Sequence, residues 1–337
     1  MTRCDLVASF AGPMVTLQDA GRLGLMRYGV PGSGPMDRRA LAIANVALGS
    51  APDACGVEVS LGGLQLDCVA GEVSFAVAGG GFQVMLAGKP LGSWTVATLR
   101  AGQRLTIRPG AWGSWAALAF AGQLQGSPWL GSMATHSQSG LGGGTITSGT
   151  KLTILQAEQR PAREGDLSPP GWTQPTGRAR VVIGPQDRFF DADILQRFLT
   201  QGFKLSTAYD RMGVRLSGPP LPVNAALDMP SEPILRGSVQ VAGDGVATVM
   251  LADHGTTGGY PKIATVIGPD LDDLVQLRSG DAVSFAAMTP DRAVAAARLH
   301  HAQLTQYLTD LAQPRASLIE RLLAGNLISG VVNGDED

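Results

Sequence analysis

Charge is scarce in this chain. Asp, Glu, Lys and Arg make up only 16% of its 337 residues, and the formal net charge of −2 is close to balance. There is no basic footprint for a phosphate backbone and no basic stripe interleaved with aromatic residues, which argues against a nucleic-acid partner. The first twenty residues are interrupted by Ser9, Thr16, Gln18 and Asp19 and do not have the charged-then-apolar pattern of a leader. No run of eighteen apolar residues occurs, so no membrane span is expected. Cysteine is limited to Cys4, Cys55 and Cys68, an odd number without a CxxC pair. That usage fits reduced thiols in a cytoplasmic protein. Of the four histidines, His136 and His254 stand alone and His300-His301 falls in a helical tail, so no metal is expected on this chain.

Glycine is abundant, with 45 residues, and calls for many turns. The apolar content of 44% is enough for two cores. Short alternating runs such as VSFAV (73–77) and VATVML (246–251), separated by glycine turns, predict closed barrels rather than a parallel sheet. The chain also repeats itself. LRAGQRLTI at 99–107 matches LRSGDAVSF at 277–285, EVSLGGLQL at 58–66 matches EPILRGSVQV at 232–241, and GRLG at 21–24 echoes DRMG at 210–213. The three pairs keep the same order and similar separations. The expected fold is therefore mainly β, with two tandem barrel domains related by duplication at 1–155 and 178–290. A proline-rich polar crossing at 156–177 joins them. Helices are predicted over 37–48 and 191–200, and the alanine- and leucine-rich tail over 291–337 reads as helical, with a leucine face available for docking a partner.

Four clusters hold polar and glycine residues that packing alone does not require. The first runs from Gln18, Asp19 and Arg22 through GVPGSGPMD (29–37) to a helix carrying Asn45 on its apolar face. An amide there is either a core asparagine bonded to a loop backbone or a group facing a ligand. The second is LGSMAT (130–135), containing Ser132, followed by the glycine run 140–144. It reads as a flexible loop or a hydroxyl-lined flap, and no βαβ unit surrounds it to make a dinucleotide fingerprint. The third is YDRMG (209–213), whose Asp210 and Arg211 either brace a turn or meet a ligand. The fourth is TTGGYPKIATV (256–266), in which Thr257, Gly258, Gly259 and Tyr260 form a turn ahead of Lys262 at the mouth of an apolar strand. Lys262 is either a solvated turn residue or a cation held for an anion.

The ordered set QDAGRLG, GVPGSGPMD, Ala44-Asn45, the FAG and LGS segments between 120 and 132, YDRMGVRL and TTGGYPKIATV resembles the biotin-dependent carboxyltransferase family. That family includes allophanate hydrolase subunit two, the carboxyltransferase part of urea carboxylase and the C-type subunit of bacterial 5-oxoprolinase. The resemblance covers roughly residues 6–283. It implies cyclophilin-like barrels and a sister protein of the subunit-one type (the B-type subunit of 5-oxoprolinase), with a LamB/YcsF-type subunit as a further partner. It also places Asn45, Asp210 and Lys262 at the reacting centre, with Gln18, Asp19, Arg22, Ser132, Arg211, Thr257, Gly258, Gly259 and Tyr260 around a small substrate. Two departures bear on substrate identity: His254-Gly255 stands where the family often has arginine-glutamine, and Met133 where it often has arginine.

Three functions follow from the resemblance. One is ATP-dependent opening of the lactam of 5-oxo-L-proline to L-glutamate, with ATP bound here or by a partner. A lactam is a poor electrophile, so its oxygen has to be phosphorylated before water attacks, and Lys262 would meet the developing charge while Asn45 orients the amide. The second is carboxyl transfer from carboxybiotin, carried on a separate protein, to a urea-like amide. The third is a non-enzymatic regulator that sequesters a kinase-inhibitor-type sister subunit.

Overall fold

In the computed structural model, residues 2–224 and 229–313 are described. The first half is built from two antiparallel sheets. One orders its strands Gln123–Leu124, Lys151–Leu155, Arg3–Ala11, Leu64–Ala70, Arg104–Arg108, Gln83–Leu86 and Lys89–Leu91. The other orders Gly165–Asp166, Thr95–Arg100, Glu72–Ala78, Trp115–Phe120, Gly56–Ser60 and Thr16–Gln18. Both sheets send side chains into one core, which includes Leu6, Leu66, Phe75, Leu118 and Ile154.

Strands of the second sheet are buried on both faces, and their side-chain sizes differ from face to face. Val73, Phe75 and Val77 fill the core, while Ala76 and Ala78 face helix α1 (Arg38–Ala47). On the neighbouring strand Leu118 and Phe120 point inward, and Ala117 and Ala119 lie under the same helix. Methyl-sized side chains let α1 approach closely. Asp37 caps α1 by accepting from the amides of Arg39 (3.0 Å) and Ala40 (3.1 Å).

The second half is a closed seven-stranded barrel in the order Arg178–Ile183, Lys262–Val266, Ser238–Val241, Ala247–Met250, Gly213–Ser217, Phe203–Tyr209 and Ala282–Ala287. It closes through a parallel pairing of 178–181 with 284–287. Helix α2 (Ala192–Thr200) plugs one side, with Phe198 stacked on Phe285 at 4.5 Å. Helix α3 (Gly268–Leu274) buries Leu271 and Leu274 against the same core.

The duplication is visible down to its turns. Gly102 and Gly280 occupy matching left-handed positions, at φ +83° and +91°. Before each, the same amide is held by a side chain three residues on, Arg100 to Gln103 Oε1 (2.9 Å) and Arg278 to Asp281 Oδ2 (2.8 Å). Gly63 and Gly237 likewise share a positive φ, and a Cβ on either would lie 2.7 Å from a carbonyl oxygen, that of Ile107 or of Val266. Only glycine fits there.

The 156–177 crossing is a packed surface run rather than a free linker. Gly165–Asp166 adds an edge strand to Val96 and Thr95, and Leu167 and Thr173 are buried. Part of the leucine face expected for docking a partner, on helix α4 (Pro290–Ala312), is covered within the chain. Leu304, Leu308 and Leu311 pack in cis on the layer formed by α1, and Arg163 donates to the carbonyls of Leu311 and Ala312 at its end. The expected tail beyond residue 313 lies outside the described residues. No described helix is long and apolar enough to cross a membrane.

The two halves are locked together by buried charge. Arg211, 0% exposed, donates from Nε and Nη2 to Asp253 (both 3.0 Å), from Nη1 to Glu58 and from Nη2 to the carbonyl of Gly34 (2.7 Å). Glu58 and Gly34 belong to the first half, Arg211 and Asp253 to the second. Burial pushes the Glu58 carboxyl up, against the pull of Arg211, whereas the guanidinium holds Asp253 below the usual carboxylate range despite burial. Removing one member of such a cluster leaves the others unpaired in a dry site. Arg211→Met is expected to destabilise the chain by about 3–5 kcal/mol in urea unfolding. The deficit should shrink as pH falls into the carboxylate range, because protonation removes the stranded charges. A loss under about 1 kcal/mol would show that the pairing contributes little beyond what apolar packing supplies.

Candidate functional site

The turn ahead of Lys262 is shaped by a two-residue ladder, Glu232–Pro233 against Thr257–Gly258. A Cβ on Gly258 would fall 2.6 Å from Ile234 Cδ1 and 2.9 Å from Gln240 Nε2, so these two side chains close against the bare backbone of the turn. The chain then enters the barrel at Lys262, opposite Gln240. Lys262 is 2% exposed, and among the described residues its ammonium nitrogen has no hydrogen-bond partner. Burial lowers its pKa, while the charge of Glu232 opposes that fall. The solvated-turn reading of Lys262 is thereby replaced by a closed, unpaired cation. Such a group is costly unless an anion arrives.

Two neighbours around Lys262 do not stand out in the sequence. Gln186 Oε1 accepts from the Lys262 amide at 2.8 Å, and the Gln186 amide donates to the Lys262 carbonyl at 3.2 Å. Its Nε2 donates to Glu232. Glu232 could have been noticed, since it heads an echoed segment just as Glu58 does. Gln186 carries no such signal.

An open groove of about 760 Å³ runs along the barrel face beside this turn. It brings together two of the expected residues, Asp210 and Tyr260, with Gln240, Met212, Met250 and Arg215. Tyr260 is 52% exposed, and Asp210 accepts from the amides of Met212 (2.7 Å) and Gly213 (3.1 Å). Lys262 does not line the groove. It adjoins the rim through Gln240, whose amide donates to the Tyr260 carbonyl at 3.4 Å. Thr257, Gly258 and Gly259 form the turn between them.

The remaining expected residues have structural partners. Asn45 Nδ2 donates to the carbonyl of Ala54 at 2.7 Å and of Pro52 at 3.4 Å, and none of its bonds reaches a neighbour of Lys262. These bonds are those of a core asparagine held to a loop backbone. Asp19 accepts from Ser132 Oγ (2.6 Å) and from the amides of Gly21, Met133 and Ala134, which pins the 132–134 loop. Arg22 stacks over Trp129 and donates to the carbonyls of Trp129, Ser132 and Ala134. Gln18 donates to Thr16 and to the Thr135 carbonyl. Arg211 commits all three of its nitrogens to the inter-half cluster. Of the two departures from the family pattern, His254 is buried with Nδ1 2.7 Å from the Gly255 carbonyl oxygen, and Met133 packs against the first core.

The model of the carboxyltransferase domain, subdomains A and B, matches residues 28–287. The chain belongs to this family. It is 31% identical over 289 residues to the C-type subunit of 5-oxoprolinase from Escherichia coli (strain K12), covering 85% of this chain and 92% of that protein. It is 27% identical to urea amidolyase of Lachancea kluyveri, covering 85% of this chain but 17% of that protein. Among solved structures, TTHA0988 superposes with a TM-score of 0.75 at 31% identity, over 84% of this chain and 55% of that one. The Kluyveromyces lactis urea amidolyase superposes with a TM-score of 0.80 at 23% identity, over 95% of this chain and 21% of that one, which shows the shared fold.

A buried cation kept for a ligand should weaken the empty fold. Lys262→Met is therefore expected to raise stability by about 1–3 kcal/mol. The folded-state pKa of Lys262 lies below its unfolded value, so the parent is penalised at low pH and relieved as pH rises through the lysine range. The gap between variant and parent, followed by chemical unfolding, should narrow over that rise. A destabilised Lys262→Met would instead mean that the ammonium holds the fold together.

Proposed function

We propose that the chain is the C-type subunit of a 5-oxoprolinase, working with a subunit-one-type (B-type) sister and a LamB/YcsF-type subunit. The complex would open 5-oxo-L-proline to L-glutamate in an ATP-dependent reaction. The observation that carries this reading is the closed, unpaired ammonium of Lys262, set behind a glycine turn at the rim of a groove. The near full-length match to the E. coli 5-oxoprolinase subunit supports the choice of substrate over the urea branch, where the chain matches only a small part of a much longer protein.

In this reading Lys262 meets negative charge as it develops on the lactam oxygen. A fixed cation in a closed site stabilises such charge far more than one in water. Asp210 and Tyr260 line the groove that would receive the ring, and Asn45 keeps the role of holding its loop. ATP supplies the phosphoryl group that makes the lactam carbonyl a better electrophile. The glycine run 140–144 is held through Gly144 by Thr135 and leads into no described helix, so it offers no helix N-terminus for phosphate. In this proposal ATP is bound by this chain or by a partner in the assembled complex. Carboxyl transfer from carboxybiotin on a separate carrier is the second reading, favoured by the urea amidolyase match, and there Lys262 would stabilise an enolate oxygen.

The test is reconstitution with the sister subunits and assay of L-glutamate from 5-oxo-L-proline. ATP-dependent product is expected from the complex, and none from the chain alone. Lys262→Ala should lower turnover roughly 10²- to 10³-fold, and Lys262→Arg should recover little of it, since a planar guanidinium does not replace a compact ammonium. Activity should fall as pH rises through the depressed lysine pKa. Activity abolished by avidin, with turnover only when a carboxylated biotin carrier is present, would move the assignment to the second reading.

A further inference from the structure

Lys262 combines closure with the absence of a contact partner, although a carboxylate stands nearby. The charge of Glu232 opposes the effect of burial on the ammonium, yet the ammonium has no hydrogen-bond partner among the described residues. Gln186 is bonded to both residues. This side chain is 1% exposed, and the residue binds in three directions: its Oε1 takes the Lys262 amide, its own backbone amide takes the Lys262 carbonyl, and its Nε2 takes Glu232. The backbone of the lysine and the carboxylate are thus fastened to one glutamine. Glu232 is fixed further by the ladder to Thr257–Gly258.

We infer that Glu232 and Gln186 are positioning residues: Glu232 keeps Lys262 charged from a distance, and Gln186 restrains the carboxylate so that it does not take the ammonium for itself. The inference deepens the reading in which Lys262 meets an anion, and rests on it for its purpose. A contact pair would satisfy the lysine and block the site. With no carboxylate at all, burial would drive the lysine neutral. Holding Glu232 near but out of contact leaves a charged ammonium with its donors free, ready for an oxyanion or carboxylate of a small substrate.

The two residues make opposite predictions, which a structural role alone would not. The chain contains four lysines, so selective ¹³Cε labelling gives few signals, and Lys262 is assigned by its loss in Lys262→Met. Its titration midpoint is then followed in the intact chain. Glu232→Gln should lower the midpoint by about one unit or more. Glu232→Asp, which keeps the charge but withdraws it, should lower it less and so covers the case in which Glu232→Gln does not fold. Gln186→Ala should raise the midpoint, because the freed carboxylate can close on the ammonium. In the reconstituted complex Gln186→Ala should raise KM more than it lowers kcat. An unchanged midpoint in a folded Glu232→Gln or Glu232→Asp overturns the inference, as does a fall in Gln186→Ala. The titrations need no substrate or partner, so they stand or fall separately from the lactam-opening activity.

Discussion

One guanidinium decides how the two halves of this protein sit. Arg211 lies in the second barrel but shares its donors between Asp253 of that barrel and Glu58 and Gly34 of the first half. Burying three charges is unfavourable unless each finds a partner in good geometry, and that geometry exists in only one relative placement of the halves. Neighbouring contacts follow the same placement. Gln276 accepts from the amides of Ser114 and Trp115 and donates to Asp37, and Arg39 reaches Asp273 at 2.8 Å. Met36 and Trp115 of the first half complete the core of the second. The 29–37 loop, which meets Arg211 and Arg236, is therefore held from the far domain as well as its own.

The duplicated halves use matching residues differently. Arg22 and Arg211 each adjoin or lie in a turn braced by an aspartate, and each is buried. Arg22 remains local and gathers carbonyls from the 129–134 loop, whereas Arg211 crosses to the other half. Glu58 and Glu232 head the paired segments, yet Glu58 is consumed by the interface and Glu232 is held beside Lys262. Two copies of one framework thus yield one junction and one site. The framework itself, with its matching left-handed glycines, is tolerant of this because the turns are set by backbone geometry rather than by the side chains that diverge.

Much of the fold could be read from the sequence because its signals are local. Left-handed turns need glycine, α1 begins at an aspartate, and the three echoes lie in order along the chain. Lys262 was legible for the same reason, since its turn and strand are contiguous. The failures are non-local. Nothing near Asn45 tells that its amide serves Ala54, and nothing near Arg211 tells that its partners lie at 34, 58 and 253. Gln186 reaches Lys262 and Glu232 across separations that no periodicity encodes. The leucine face of the tail helix was readable as a face, but whether its cover came from another chain or from α1 depends on tertiary packing alone.

The seating of α4 on α1 has a consequence for the order in which the molecule can be made. The last described helix covers α1, an element laid down early in the chain, and Arg163 of the crossing closes its end. A chain emerging from synthesis can build the first sheets and the crossing well before this cover exists. The outer face of α1 therefore stays bare until the second barrel has closed and α4 follows it, a contact of very long sequence separation. During that interval an apolar helical surface is open to solvent and to any binder that recognises it.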